Sequence, residues 1–275
     1  MTVPVIVITV LLTAGIAWRL FLLQKSRRLL KQPLPAPLRD YVQKEFPRIL
    51  ALPSRHQEKL EGLTLYLMET KNFEPCGGLK EVTDEMKALI CAQAALLLTG
   101  LAHHRYYPKL QSILVYPGAF RDKGRRRFGI HEESDRGTLL GESWETGSVI
   151  LSWDSVVAGA RNADDGMNVT IHEFAHQLDQ ENGTDGVPVL KDRAAYRQWA
   201  EVFERNYEEL VEDVEDGKGP EPLIDPYGAT NPAEFFAVAS ETFFEESEDL
   251  RKEHPDLYEQ LRNYYGLDPA MWPKS

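Results

Sequence analysis

The sequence predicts an α+β fold, mostly helical with a small mixed sheet, preceded by an N-terminal transmembrane helix. Three observations carry this. Helical patterns come first, β-branched runs follow, and helical patterns return, an order that reads as an α+β domain. One of the late helices spells H-E-x-x-H from His172 to His176. The first 18 residues, "MTVPVIVITVLLTAGIAW", carry no charged side chain.

The chain of 275 residues is long enough to bury a substantial core. A net charge of -12 argues against a general nucleic-acid binder, because phosphate binding needs a basic face. Part of the acidity lies between Glu204 and Asp216 and reads as the exposed side of a long helix. The two cysteines, Cys76 and Cys91, form no C-x-x-C pair, so thiolate metal knuckles and dithiol redox chemistry are not indicated. Reduced thiols in the cytoplasm are the simplest reading.

The elements follow in order. As a helix the first 18 residues span about 27 Å, close to the ~30 Å hydrocarbon core of a bilayer. Lys25, Arg27, Arg28 and Lys31 come after the apolar run rather than before it. This is the reverse of a signal peptide's order and favours an anchor with the basic flank in the cytoplasm, a cleaved signal peptide or a buried core helix being the alternatives. The organisation is therefore an anchor at 1–24, a basic, proline-rich linker at 25–36 and a globular domain at 37–275. Ser54, with Gln57 three residues on, is the capping-box start of a helix through Phe73. "PCGG" at 75–78 breaks it. Thr83 caps a second, apolar helix that ends at Gly100 and reads as buried. "SILVY" (112–116) and "SVILSW" (148–153) are strands, with hairpin material at 127–144 and a basic loop at 121–127 between them. Helices return with "WDSVVAGAR", the H-E-x-x-H segment, and a long helix from Asp192 to about Asp216. A helix capped by Asn231 with Pro232 in its first turn follows, and a last one runs from Pro255 to Tyr265.

The chemistry centres on "NVTIHEFAHQLDQENG", residues 168–183. His172 and His176 lie one turn apart on one helix face, so both can reach a single ion. Imidazole nitrogens suit zinc. Glu173 points roughly a quarter turn away from His172, beside the metal position rather than at it, and is placed there to take a proton from an activated water and pass it to a leaving amine. A catalytic zinc needs a third protein ligand. A third histidine six residues after His176 is absent, since Asn182 stands there and Asp179 replaces the glycine of that extended motif. His56, His103, His104, His131 and His254 sit at no motif spacing and read as ordinary surface or core. A downstream carboxylate is the better candidate. Glu234 and Glu241 lie seven apart on one face of a helix rich in phenylalanine, where an unpaired carboxylate is costly to bury. Glu234 is the third-ligand candidate, with a capping-box role for Asn231 as the alternative. Glu241 is a candidate to hydrogen-bond a ligand histidine. Asp179 shares the histidine face and either orients an imidazole or merely ends the helix. Tyr227, seven residues before Glu234, either donates to an oxyanion or packs.

Several stretches together resemble the Mlc titration factor A family of bacterial zinc metallopeptidases. They are "HEFAHQLD", "DPYGATNPAEFFAVASETFF", "VTDEMKALICAQAALLL", "ILVYPGAF" and "GESWETGSVILSWDSV". The resemblance runs from about residue 35 to the C-terminus. It implies a zincin-like, gluzincin-type fold similar to the protease domain of anthrax lethal factor. It further implies Zn2+ held by His172, His176 and Glu234, Glu173 as the base, and support for Tyr227 as a catalytic residue. Aminopeptidase-type activity on a peptide or protein substrate, and binding of an Mlc-like transcriptional repressor, are also what the family implies. The expected protein is then a zinc peptidase of the bacterial inner membrane with its catalytic domain in the cytoplasm. A soluble cytoplasmic protein is the alternative for location. For function the alternative is a non-catalytic regulator that keeps the zinc fold and binds a transcription factor, although retention of Glu173 argues against pure binding.

Overall fold

A computed structural model gives the fold for residues 2–101, 106–118, 147–181, 183, 186–217 and 222–273, leaving aside the side chains of 2–10 and 12. The predicted hairpin at 127–144, the basic loop at 121–127, and His103, His104 and His131 lie outside the described residues. The first helix, α1 (Thr2–Leu29), runs past the predicted anchor into the predicted linker. Its side chains at Leu11, Ile16, Trp18, Leu20, Phe21, Leu22 and Leu23 are exposed. Among the described residues no helix is long and apolar enough to cross a membrane. Much of the predicted anchor, though, consists of residues whose side chains are not described.

The base of α1 is tied to the domain. α2 (Ala36–Glu45) and a 3-10 turn (Pro47–Ala51) lead into α3 (Ser54–Thr70). Glu61 on α3 accepts the Leu34 N–H at 2.9 Å and pairs with Arg39 at 3.0 Å. Gly62 lets Leu30 approach, since a Cβ there would lie 2.3 Å from the Leu30 carbonyl oxygen. The predicted Ser54–Gln57 capping box is not formed. Pro53 occupies the cap position, and the Gln57 amide turns back to donate to the Leu50 and Leu52 carbonyls. The prolyl ring sets the entry angle of α3 without needing a side-chain oxygen.

α3 also ends earlier than its sequence predicts. Residues 72–75 form β1 (Asn72–Pro75), which pairs in parallel with β2 (Ser112–Tyr116). β2 pairs in parallel with β3 (Ser148–Ser152), giving the order β1-β2-β3. The expected mixed sheet is thus all parallel among the described residues. β1 is hidden in the sequence because it is short and outward-facing, with only Phe73 packed on the core. Ile113, Val115, Val149 and Leu151 alternate onto the buried face, as period-2 patterning requires.

The same core contains α4 (Asp84–Thr99), capped by Thr83, whose side chain accepts the Met86 N–H. Residues 88–99 of α4 are all buried, which makes it the central post of the domain. Cys91 is packing material there, and burial pushes its thiol up out of the reactive range. Gly100 and Gly266 let the ends of α4 and the last helix touch. A Cβ on Gly100 would fall 2.0 Å from the Tyr265 carbonyl oxygen. After the sheet come α5 (Trp153–Arg161), α6 (Val169–Asp179), α7 (Arg193–Asp216), a 3-10 turn (Pro226–Thr230) and α8 (Pro232–Glu245). α9 (Ser247–Glu253) and α10 (Pro255–Tyr265) close the domain. The cap at Asn231 forms as the sequence predicts, and Asp192, the predicted start of the long helix, is its N-cap.

An aromatic seam fixes α8. Trp199 stacks on Phe203 at 3.9 Å and meets Phe236 edge-on at 5.7 Å. Phe243 and Phe244 pack on Tyr265, whose hydroxyl pairs with Ser240 at 2.7 Å. Each fully buried phenylalanine contributes roughly 1.5–3 kcal/mol relative to exposure. The seam holds one face of α8 rigidly while the opposite face is pressed on α6.

Candidate metal centre

α6 and α8 supply the site. α6 starts at Asn168, whose side-chain oxygen accepts the N–H groups of Thr170 (3.1 Å) and Ile171 (3.0 Å). Apolar Ile171, Phe174, Ala175 and Leu178 bury it, and Phe174 packs on Tyr107 at 4.9 Å. His172, Glu173 and His176 are thereby all at most 3% exposed. Asn231 accepts the Glu234 N–H, so Glu234 opens α8 with its side chain free to face α6.

Three atoms meet. The His172 Nε2 lies 3.0 Å from Glu234 Oε2, the His176 Nε2 lies 3.2 Å from the same oxygen, and the two Nε2 atoms are 3.2 Å apart. The rings stand at 78° with centroids 4.8 Å apart. Two ligands each about 2.0–2.1 Å from a tetrahedral zinc would be about 3.3 Å apart. The observed separations fit that requirement. Glu173 is not among the converging atoms.

The other ring nitrogens decide how the first two behave. His172 Nδ1 is 2.7 Å from Glu241 Oε1, so Nδ1 carries the proton and Nε2 presents its lone pair. His176 Nδ1 faces Asp179 Oδ2 at 3.8 Å, longer than a hydrogen bond, while that oxygen accepts the Gly186 N–H at 3.2 Å. Asp179 therefore ties the following loop to α6 as well as facing the imidazole. Three acceptors aimed at one point repel unless a cation or protons lie between them. The residues fit a metal ion, and nitrogen with carboxylate oxygen suits zinc.

Charge balance follows the same geometry. Burial pulls the His172 imidazole down, but Glu241 and Glu234 more than reverse this and hold it well above its ordinary value. Burial likewise lowers His176, and Asp179 and Glu234 raise it to about 9. Burial raises Glu234, and the two imidazoles overcome that and hold it far below the usual carboxylate range. Burial raises Glu173 above an ordinary glutamate, which brings it nearer neutrality, where a general base works best.

Tyr227 sits on the 3-10 turn that enters α8, half-buried, its ring centroid 6.1 Å from that of His172. Asp225 caps that turn by accepting the Tyr227 N–H at 2.8 Å, and Tyr207 of α7 donates to the Ala229 carbonyl. Of the other histidines, His254 pairs with Asn206 at 3.0 Å and lies outside this cluster.

Two residues of the site are not legible in the H-E-x-x-H reading. Asn168 donates its backbone N–H to Glu241 Oε2 at 2.5 Å and its amide to Glu245 Oε1 at 3.1 Å. Glu245 also accepts the Met167 N–H at 2.9 Å. The available signals were an asparagine four residues before the first histidine and an acid four residues after Glu241.

Comparison with known proteins places the chain among metallopeptidases. Residues 21–266 match the model of the glucose-regulated metallo-peptidase M90 family. An uncharacterized protein of Synechocystis is 38% identical over 250 residues, covering 90% of each chain. Mlc titration factor A of Serratia proteamaculans is 32% identical over 229 residues, 81% of this chain and 84% of that one. The protein of the same name from Cronobacter sakazakii is 30% identical over 244 residues, 86% and 88% of the two chains. With a buried His–His–Glu triad on the helix pair that this match spans, the chain belongs to the glucose-regulated metallopeptidase family M90.

Proposed function

We propose that this protein is a zinc-dependent peptidase of the aminopeptidase type, acting on peptide or protein substrates. The convergence of His172, His176 and Glu234 on one point, with Glu173 adjacent on the same helix, carries the reading. His172, His176 and Glu234 would hold the ion. Zinc bound there supplies Lewis-acid polarisation of the scissile carbonyl and a lowered pKa for water. Glu173 takes the proton of the attacking water and delivers it to the leaving amine. Tyr227 donates its hydroxyl to the oxyanion that develops on the carbonyl. Glu241 keeps His172 in the tautomer that leaves Nε2 unprotonated.

The aminopeptidase assignment rests on the family resemblance. Binding of an Mlc-type repressor is a second role, supported by the relatives named Mlc titration factor A. The uncharged first 18 residues followed by Lys25, Arg27, Arg28 and Lys31 support a single-pass anchor in the inner membrane with the domain in the cytoplasm.

The test is hydrolysis of a peptide library by the full-length protein, read by mass spectrometry, with Glu173→Gln beside it. Trimming from N-termini by the native protein alone is expected. Internal cuts would replace aminopeptidase by endopeptidase. Silence from both, with zinc bound, would favour the non-catalytic regulator.

A further inference from the structure

α8 carries a third carboxylate in line with Glu234 and Glu241, and among the described residues its hydrogen-bond partners sit at the start of α6. Glu245 is the last residue of α8, four beyond Glu241 and so one turn along the same face. It is 5% exposed. Its Oε2 accepts the Met167 N–H and its Oε1 accepts the Asn168 amide. The Asn168 side-chain oxygen is already occupied by the N–H groups of Thr170 and Ile171. The Asn168 backbone N–H goes to Glu241, whose other oxygen holds His172. Gly159 of α5 makes the space the amide occupies: a Cβ there would lie 2.9 Å from the Asn168 Cγ.

Met167 N–H, Asn168 N–H and the Asn168 amide thus each have one acceptor on α8. If α6 slid or rotated by one residue, Met167 N–H, Asn168 N–H and the Asn168 amide would lose their acceptors together. Unpaired buried polar groups of this kind are costly. The same movement would carry His172 away from both Glu241 and Glu234.

From this we propose that Glu245 is a positioning residue of the metal site. Acting through Asn168, it sets the register of α6 on α8, so that His172 Nδ1 meets Glu241 while Nε2 points at Glu234. It touches neither the metal position nor a substrate. The inference rests on the metallopeptidase reading above, because what Glu245 positions is the triad.

Glutamine at 245 supplies one acceptor and one NH2 where two acceptors are needed, so Glu245→Gln sets a donor against a donor. Asn168→Asp keeps the helix-cap oxygen but sets a carboxylate against Glu245. The double change Glu245→Gln with Asn168→Asp restores one donor and one acceptor across the contact. Zinc affinity of the full-length protein is measured by competition with a chromophoric chelator. The visible spectrum of the Co(II)-loaded protein reports the ligand geometry. Each single variant is expected to bind zinc about 10–100-fold more weakly, the cost typical of disturbing the supports of metal ligands. Each should also shift the Co(II) bands, and the double variant should recover both. Tyr258→Phe, which removes a hydrogen bond to Asp268 away from the site, serves as the stability control and should lower Tm alone.

Unchanged zinc affinity and Co(II) spectrum in folded Glu245→Gln would overturn the proposal. So would a loss that merely tracks Tm, or a double variant no better than the singles. Failure of the unsubstituted protein to bind zinc or Co(II) would instead remove the metallopeptidase reading, and the positioning role with it.

Discussion

The Nδ1 of His172 lies 2.7 Å from Glu241 Oε1, and the other oxygen of that carboxylate accepts the N–H of Asn168, one turn before His172 on the same helix. One side chain of α8 therefore grips both the ring and the backbone that carries it. This fixes the tautomer and leaves the ring little freedom to swing. Glu241→Gln can satisfy only one of the two donors. Zinc affinity should fall about 10–100-fold, measured by chelator competition. Unchanged affinity would mean that the helix alone orients His172.

Glu234 and Glu173 differ in role although both are buried beside the histidines. Glu234→Ala removes one of three converging acceptors and should weaken zinc binding by more than the ~10–100-fold expected for a ligand's supporting partner. Glu173→Gln leaves all three acceptors in place. It should bind zinc normally and lose turnover by about 10²–10⁴. Equilibrium dialysis with metal analysis, run beside peptide hydrolysis, separates the two. Normal zinc content in Glu234→Ala would remove Glu234 from the ligand set.

How much of this was legible in the sequence follows from the range of each signal. The helical core was readable because its cues are local: Thr83, Asp192 and Asn231 cap helices whose apolar faces recur at helical spacing. The histidine pair was readable because a four-residue spacing places both imidazoles on one face, whereas Glu234 was a candidate until α8 was seen to bring it to them. β1 was not, since four mostly exposed residues leave no alternation to detect and owe their strand to pairing with β2, some 40 residues away. Ser54 misled because a cap-forming residue beside a proline need not be used. Glu245 was invisible for a different reason. An acid at a helix end reads as solvated until the partner helix, 77 residues earlier, is seen to cover it.

Tyr227 is held at the edge of the site by Asp225 and by the Tyr207–Ala229 contact, with its ring 6.1 Å from that of His172. If its hydroxyl serves only the transition state, Tyr227→Phe should reduce kcat by about 10²-fold or more while KM and zinc affinity stay put. A rise in KM with kcat unchanged would make it a substrate-binding residue instead.

α1 offers a different test. Its exposed apolar side chains at Ile16, Trp18 and 20–23 are followed by cations, of which Lys25 pairs with Glu69 on the domain at 3.3 Å. An inner-membrane anchor predicts that the full chain stays in the membrane pellet through an alkaline carbonate wash. It also predicts that the domain resists protease added to spheroplasts. Release by the wash would leave a peripheral or soluble protein.

The imidazoles also predict how metal and protons compete. His176 is raised to about 9, and His172 is raised well above its ordinary value, so at neutral pH both hold protons when no ion lies between them. Zinc needs both Nε2 lone pairs, so binding at pH 7 should release about two protons. Apparent affinity should climb with pH, and the part that comes from His176 should level off near 9. Because a raised pKa stabilises the fold only while the proton is held, that stabilisation is complete below about 6.5 and disappears as pH rises through about 9. The metal-free protein should therefore lose Tm over this interval. The zinc-bound protein, whose imidazoles are already deprotonated, should be less affected, and the gap between them should widen. Calorimetry in buffers of different ionisation enthalpy counts the protons directly. A count near zero would mean that the two imidazoles are neutral before zinc arrives, and that Glu234 and Glu241 do not hold them charged.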